Sequence, residues 1–469
     1  MINTQDLMHD MNAQVRHGTH RVIQGVEIDS RRLQVGYAFF CLQGTQDGHK
    51  FIPQAVQAGA KVLVVHHTFE LDTEVQEQYI QEDILVLAVS DTTVALQQAA
   101  QAHRLRVFKG TMVAITGSNG KTSCKEMLAS MLSTLGPTLA TQGNFNNHLG
   151  VPLTLFRLQA HHQFAVIEMG MSARGEIQQL AQWSHMDIGC IVSIARAHLQ
   201  DLGSLEAVAY AKGELFTQLP AAPQGHAFLH ADLTCRTLAL ATCKAQQHVL
   251  ESTDLALSHI QHLTTGSQAQ LSYQGQSYSL SLQSVGIHQL NNARLMLSIA
   301  LHCGGDITRL LSALSQLKVS HLRGEVHQLN SGMTLWVDCY NANPQSILAS
   351  LTAFQASGLS GCLVLGSVKE LGDASDTLHQ QLGVDIAHAL GEQTMLICIV
   401  GQEAYPMYQA LLDASYPTHL CHYFIESHEE QITKIIIDYN PPAVFIKGSR
   451  SNQLEKVAHV LIKQQDHPT

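Results

Sequence analysis

The residues best suited to chemistry lie between Gly117 and Ser123. The stretch Gly117-Ser118-Asn119-Gly120-Lys121-Thr122-Ser123 follows an apolar run, Thr111 to Ile115, and opens a helical spacing that reaches Leu135. Glycines there let the backbone turn and aim its N–H groups inward, and the helix N-terminus adds positive potential. Lys121 can reach outer phosphates and Thr122 can ligate Mg²⁺. Two residues separate the glycines, so the loop is shorter than G-x-x-x-x-G-K-[ST]. Phosphate binding is the expectation. The plain alternative, an ordinary strand–helix turn with a chance Gly-Lys-Thr, sits poorly with a strand before it and a helix after. No N-K-x-D guanine-reading element occurs.

Glu168 ends a second apolar run, Phe164 to Ile167. Strand C-ends beside a phosphate loop are where doubly wound sheets bind ligands, so a metal role fits it better than a solvated strand end. His198, Lys212 and Arg323 carry no such signal alone. Their plain readings are a hydrogen-bonded core histidine, a surface lysine and a surface charge.

Positioning these residues takes a large α/β chain. At roughly 150 residues per domain, 469 residues suggest about three domains. Residues 1–100 read as a small α/β N-terminal domain, with strands at 36–40 and 61–65 around a helix near 52–59 and an Ala- and Gln-rich helix from Thr93 to Arg106. Residues 101–320 read as a central parallel-sheet domain with the phosphate loop, which alone fits a GTPase, a motor ATPase, a kinase or a ligase; continuous apolar strands between helices imply a sheet covered on both faces. Within it, His226 to Ser284 alternates and reads as a short antiparallel sheet. Residues 321–469 repeat the apolar-strand pattern at 334–338, 361–365, 395–400 and 443–447, a second doubly wound, Rossmann-like domain.

Composition bounds the partners. The chain is 45% hydrophobic, enough for real cores, and its net charge of -11 disfavours bulk nucleic-acid or anionic-membrane binding. No apolar run approaches the ~18 residues of a membrane helix, and Met1 to His17 lacks the order of a secretory signal. A cytoplasmic monomer without membrane insertion is expected. The ten cysteines form no C-x-x-C pair and read as reduced buried thiols. The 28 histidines form no H-E-x-x-H and read as compositional drift, not as a dedicated histidine-only metal site.

Thr116 through Thr122 resemble the shortened T-G-[ST]-x-G-K-T loop of the ATP-dependent Mur ligases of peptidoglycan synthesis, and the resemblance spans essentially the whole chain. Thr141 to Asn147 with Gly150 to Thr154, Val166 to Gly170 with Gly175 to Ile177, Ala197-His198-Leu199, Ala211 to Glu214 and Gly286 to Ala293 are similar to successive family blocks. Asp338-Cys339-Tyr340-Asn341-Ala342-Asn343-Pro344, Lys447-Gly448-Ser449-Arg450-Ser451 and Asp29-Ser30-Arg31 resemble the branch that joins D-alanyl-D-alanine to UDP-N-acetylmuramoyl-tripeptide.

The resemblance implies roles. ATP would meet Gly117, Ser118, Asn119, Gly120, Lys121, Thr122, Ser123, Asn292, Arg323 and Asp338. Mg²⁺ would be held by Thr122, Glu168, His198 and a carbamylated Lys212, and Lys121, Glu168, His198 and Lys212 would be catalytic. Ser30, Arg31, Gly44, Asp47 and His49 would bind the UDP end; Asn144, Asn146, Asn147, Tyr340, Asn341, Asn343, Lys447, Ser449 and Arg450 would contact the tripeptide or dipeptide. The chain departs from the family pattern at Ser172, Ala173, Ser193, Gln289, Val337 and Ser367. Alternatives are another Mur-type ligase, a folylpolyglutamate synthase-like ligase, against which Asp29-Ser30-Arg31 speaks, and a non-catalytic nucleotide-binding module.

Overall fold

Three large sheets carry the chain, each built from the apolar runs seen in the sequence. The computed structural model describes residues 1–70, 83–319 and 321–466. The first sheet runs in the order Gln14–His17, Leu85–Val89, Val62–His66, Ala38–Phe40, Val26–Glu27, parallel except at the Gln14–His17 edge. The helix Thr92–Val107, capped by Asp91, runs through position 100 and packs against both this sheet and the helix Gly150–Phe156.

The central sheet is wholly parallel: Gln246–Leu250, His226–His230, Ile188–Ile191, Thr111–Thr116, Phe164–Glu168, Thr138–Ala140. Its inner strands Ile188–Ile191, Thr111–Thr116 and Phe164–Glu168 are apolar on both faces because both are covered. Val113, Ile115, Val166 and Cys190 face the helices Lys121–Leu132 and Ile287–His302. Met112, Ala114, Ala165 and Ile167 face the other way, into a core continuous with that of the first domain. Thr111–Thr116 lies where the winding reverses, with Phe164–Glu168 on one side and Ile188–Ile191 on the other. The C-ends of those three strands therefore frame the crevice where open α/β sheets bind ligands.

A six-stranded sheet forms the C-terminal domain: Glu325–Gln328, Thr334–Asp338, Ala443–Lys447, Gly361–Gly366, Leu396–Val400, Cys421–Phe424, parallel beyond the first pair. Register places Asp338 opposite Lys447 at the C-ends of two central strands.

One expectation is corrected. His226–His230 and Gln246–Leu250 are the last two parallel strands on one side of the central sheet; only Leu257–Leu263, Gly266–Tyr273 and Gln276–Leu282 form the antiparallel sheet. Gln246–Leu250 is the edge strand, exposed over its first two residues, and His226–His230, paired on both sides, is buried only at its three central residues, so neither carries the unbroken apolar run that marks a covered parallel strand. All ten cysteines are free thiols. Burial pushes Cys124 and Cys190 above the usual thiol range, which leaves them inert. No helix among the described residues is long and apolar enough to cross a membrane.

Candidate active site

The phosphate loop turns at Gly120, whose φ is +79°. A Cβ there would lie 3.0 Å from Asn292 Nδ2 and 3.3 Å from Val192 Cγ1, so both the turn and the close approach require glycine. The loop is held by the next strand's exit. Ser193 O accepts from Ser118 N at 2.9 Å, and Ser193 Oγ accepts from Asn119 N at 2.7 Å while donating to Asn119 O at 2.9 Å. Ser193, one of the departures, thus fixes the loop itself. Lys121 folds back to donate to Gly117 O at 2.7 Å. Desolvation lowers its pKa, partly offset by the charge of Glu168.

Across the crevice, Glu168 is buried at the end of its strand. Its Oε1 accepts from Asn146 Nδ2 at 2.7 Å, whereas Oε2 is buried with no hydrogen-bond partner. An orphaned, buried carboxylate oxygen beside a phosphate loop suits a hard cation such as Mg²⁺. Thr122 is buried nearby in the first turn of its helix, and both residues line a cavity of about 700 Å³. His198 also lines it, with Nδ1 2.5 Å from Glu370 Oε2 of the C-terminal domain. That contact is the leading cause holding the Glu370 carboxyl below its usual range. Lys212 is 1% exposed in the helix Leu205–Thr217 and does not line the cavity. Desolvation, then the charge of Lys121, drives its pKa well down.

The C-terminal domain closes the cavity. Asn343 caps the helix Pro344–Ala356, its Oδ1 accepting from Ser346 N at 2.8 Å. Its Nδ2 donates to Asn119 Oδ1 at 2.6 Å, tying the phosphate loop to a helix N-terminus of the other domain. Lys447 Nζ pairs with Asp338 Oδ2 at 2.7 Å, and Ser350 Oγ donates to the same oxygen at 2.7 Å. Arg323 lies over the ring of Tyr340, 3.9 Å from its centroid, and both line the cavity with Asn341 and Asn292. Gln289 lines it as well, with its Oε1 buried and unpartnered.

Ser118, Asn119, Gly120, Lys121, Thr122, Ser123, Asn146, Asn147, Glu168, His198, Asn292, Arg323, Asp338, Tyr340, Asn341, Asn343 and Lys447 thus meet in one place. Gly117, Asn144, Lys212, Ser449 and Arg450 do not line it. Ser449 Oγ instead accepts from Lys369 N at 3.0 Å, supporting the turn that carries Glu370, and Arg450 pairs with Glu455 at 2.8 Å. The first-domain residues form a separate group. Arg31 is bound in two places by Asp29, at 2.9 and 2.7 Å, with its side chain exposed, and Ser30 Oγ donates to Gln54 at 3.2 Å. Gly44 lies in the turn closed by the Gln43–Asp47 bridge. His49 departs from expectation: it is buried, accepts from His66 N at 3.0 Å through Nε2, and contacts Asp47 Oδ1 at 2.6 Å through Nδ1. With both ring nitrogens engaged, it shapes the loop and offers a ligand nothing.

Sequence reasoning missed Glu370 and Arg32. Arg32 stacks on Phe145 at 4.5 Å, joining the first domain to the Asn-rich loop. Neither residue sits in a chemistry-bearing motif, and only tertiary proximity singles them out.

Comparison with known proteins follows the same lines. The Mur ligase middle domain matches residues 115–301, and the catalytic domain of the Mur ligase family matches residues 22–106. The chain is 30% identical to the UDP-N-acetylmuramoyl-tripeptide–D-alanyl-D-alanine ligase of Haemophilus influenzae over 98% of both chains. It is 31% identical to that of Escherichia coli over 95% of both. Among solved structures, MurF from Acinetobacter baumannii superposes with a TM-score of 0.85 at 29% identity, covering 98% of each chain. Motif order, fold and overall likeness therefore agree, and the chain belongs to the Mur ligase family, in the branch of the UDP-N-acetylmuramoyl-tripeptide–D-alanyl-D-alanine ligases.

Proposed function

We propose that this chain is an ATP-dependent ligase that joins D-alanyl-D-alanine to UDP-N-acetylmuramoyl-tripeptide, giving the pentapeptide precursor for peptidoglycan synthesis. One observation carries the reading: a single cavity is walled by the phosphate loop and Glu168 on one side and by the Asp338–Lys447 pair and Asn343 on the other. A phosphoryl donor and a peptide acceptor can meet only in such a shared space.

The tripeptide carboxylate attacks the γ-phosphorus of ATP, forming an acyl phosphate and ADP. The dipeptide amine then attacks the acyl carbon and phosphate leaves. Lys121 swings from Gly117 O to the phosphates, and the loop N–H groups hold their oxygens. Arg323 offsets further charge, while Asn292 and Gln289 offer amides to the adenine without adding charge. Glu168, Thr122 and His198 would hold Mg²⁺, which would supply positive charge against the repulsion between the two anionic reactants. Burial favours the neutral Lys212 amine, the form that adds carbon dioxide with release of a proton, and the resulting carbamate would offer oxygens to a metal. The Asn119–Asn343 tie shuts the space over the acyl phosphate and keeps water out.

In this reading the first domain holds the UDP end through Ser30 and Arg31, the central domain ATP, and the last domain the dipeptide through Tyr340, Asn341 and Lys447. The division near residue 100 is best drawn before Asp91, because Thr92–Val107 is one unbroken helix. Ten free thiols support the cytoplasm.

Phosphate release measured with each substrate omitted in turn tests the reading. Release should require ATP, UDP-N-acetylmuramoyl-tripeptide and D-alanyl-D-alanine together. Release that instead follows folate and glutamate would assign the chain to folate chemistry, and none under any combination would leave a nucleotide-binding module.

A further inference from the structure

Far from the nucleotide cavity, three histidines scattered in sequence come together. One ring nitrogen each of His226, His248 and His302 lies within 4.8 Å of the other two. None of the three lines the nucleotide cavity. His226 opens the strand His226–His230, and His248 stands opposite Phe228 on the edge strand Gln246–Leu250. Residues 226 and 228 share one face of the sheet, so His248 projects beside His226 on that face. His302 is the last residue of the helix Ile287–His302, which crosses there.

Several features go beyond chance crowding. His226 Nδ1 and His248 Nε2 are hydrogen-bonded at 3.0 Å, one ring donating and the other accepting, and a shift of the donor ring to its other tautomer presents both lone pairs to a single ion. Phe228 stacks on His248 at 4.3 Å with a 5° interplanar angle, which locks that ring's orientation. The ring of His302 closes the triangle, 4.2 Å from His226 and 5.0 Å from His248 between centroids. A cavity of about 640 Å³ opens beside them, lined by His248, His302 and apolar side chains such as Leu255, and leaves room for a fourth ligand.

We propose that His226, His248 and His302 form a second metal site that takes a borderline divalent transition-metal ion through three imidazole nitrogens, with water from the adjoining cavity in the fourth position. Three neutral nitrogen donors suit Zn²⁺, Co²⁺, Ni²⁺ or Cu²⁺; Mg²⁺ prefers oxygen. Zn–N bonds of 2.0–2.1 Å in a tetrahedron place ligand nitrogens about 3.3 Å apart. His226 and His248 are already close to that, and His302, exposed at a helix end, can rotate in. The bound ion staples the sheet edge to the C-terminus of a helix whose first turns carry His288 and Asn292 to the nucleotide cavity. A cation is also favoured at a helix C-terminus.

The full-length chain is titrated with Co²⁺ alone and then with Zn²⁺ alone, alongside His302→Gln and His248→Gln. One equivalent of Co²⁺ should give the intense visible bands of a four-coordinate ion, and Zn²⁺ should displace them and raise the melting temperature. His302→Gln, an exposed change that should leave the far-UV spectrum intact, should lose the bands and weaken Zn²⁺ about 100-fold, the upper end of what losing even an outer-shell partner costs. His248→Gln should do the same. Co²⁺ bands that survive both substitutions, bands that depend on one histidine alone, or no four-coordinate bands at all would overturn the site.

Discussion

At the scale of single residues, burial decides which ionisable groups do chemistry. Lys121 contributes little packing at its loop–helix junction but supplies charge to the phosphates. Lys121→Ala should keep its melting temperature while turnover falls about 10³-fold, the order expected when one positioned donor is lost; near-normal ligation would remove the phosphate-loop role. Lys212 makes a sharper case. A buried lysine whose pKa is lowered binds fewer protons folded than unfolded, so stability should rise with pH up to the unfolded value of 10.5. In carbon dioxide-free buffer, Lys212→Met should flatten that slope, and pH-dependent denaturant midpoints measure it; an unchanged slope would mean the amine is not desolvated. Lys212→Ala should lose activity and regain part of it with acetate, which can supply the missing carbamate oxygens. Rescue by methylamine instead would leave Lys212 a plain cation. The phosphate loop and Glu168 were legible in the sequence because their signal is local: a strand, a turn and a chemically distinctive residue. Glu370 was not, because its link to His198 spans two domains.

Among the elements, the helix Pro344–Ala356 does two jobs through one residue. Asn343 caps it and also grips Asn119. Asn343→Ser should keep the cap and lose the grip, whereas Asn343→Ala should lose both and cost about 1 kcal/mol of stability. Thermal melts and ATP titrations separate the two functions: both variants should raise the KM for ATP, and only the alanine should melt earlier. Equal melting would show that the cap does not govern this helix. The strands read at 36–40, 61–65, 111–115, 164–168, 334–338, 361–365, 395–400 and 443–447 were legible from continuous apolar runs, which require cover on both faces, whereas Leu85–Val89 and Thr138–Ala140 were not read. His226–His230 and Gln246–Leu250 misled because polar residues at His226, His230, Gln246, Gln247 and His248 break the apolar run that marks a covered parallel strand. Their misassignment also hid the histidine cluster, since only the parallel register sets His248 beside His226. The departures at Ser193 and Ser367 have local explanations. Ser193 holds Asn119, and Ser367 Oγ donates to Asn452 Oδ1 at 2.9 Å in the buried turn that supports Gly448 and Ser449.

For the whole molecule, the first two domains are less separable than a three-domain reading suggests. Their cores run together along the helix Thr92–Val107, so deleting the first domain would expose apolar surface of the second. Point changes test the domain roles more cleanly. Arg31→Ala, at a side chain 85% exposed, should raise the KM for the uridine substrate about tenfold through a lost charge-assisted contact while sparing the KM for ATP. Equal changes in both would dissolve the proposed division of labour. The central claim is that one cavity passes a phosphoryl group from ATP to a peptide carboxylate before the new bond forms. It is tested most directly by labelling both oxygens of the reacting tripeptide carboxylate with ¹⁸O and weighing the inorganic phosphate released on ligation. An acyl phosphate requires the bridging oxygen to leave with the phosphate, so each phosphate should carry one ¹⁸O. Unlabelled phosphate from a reaction that still yields pentapeptide would contradict the account.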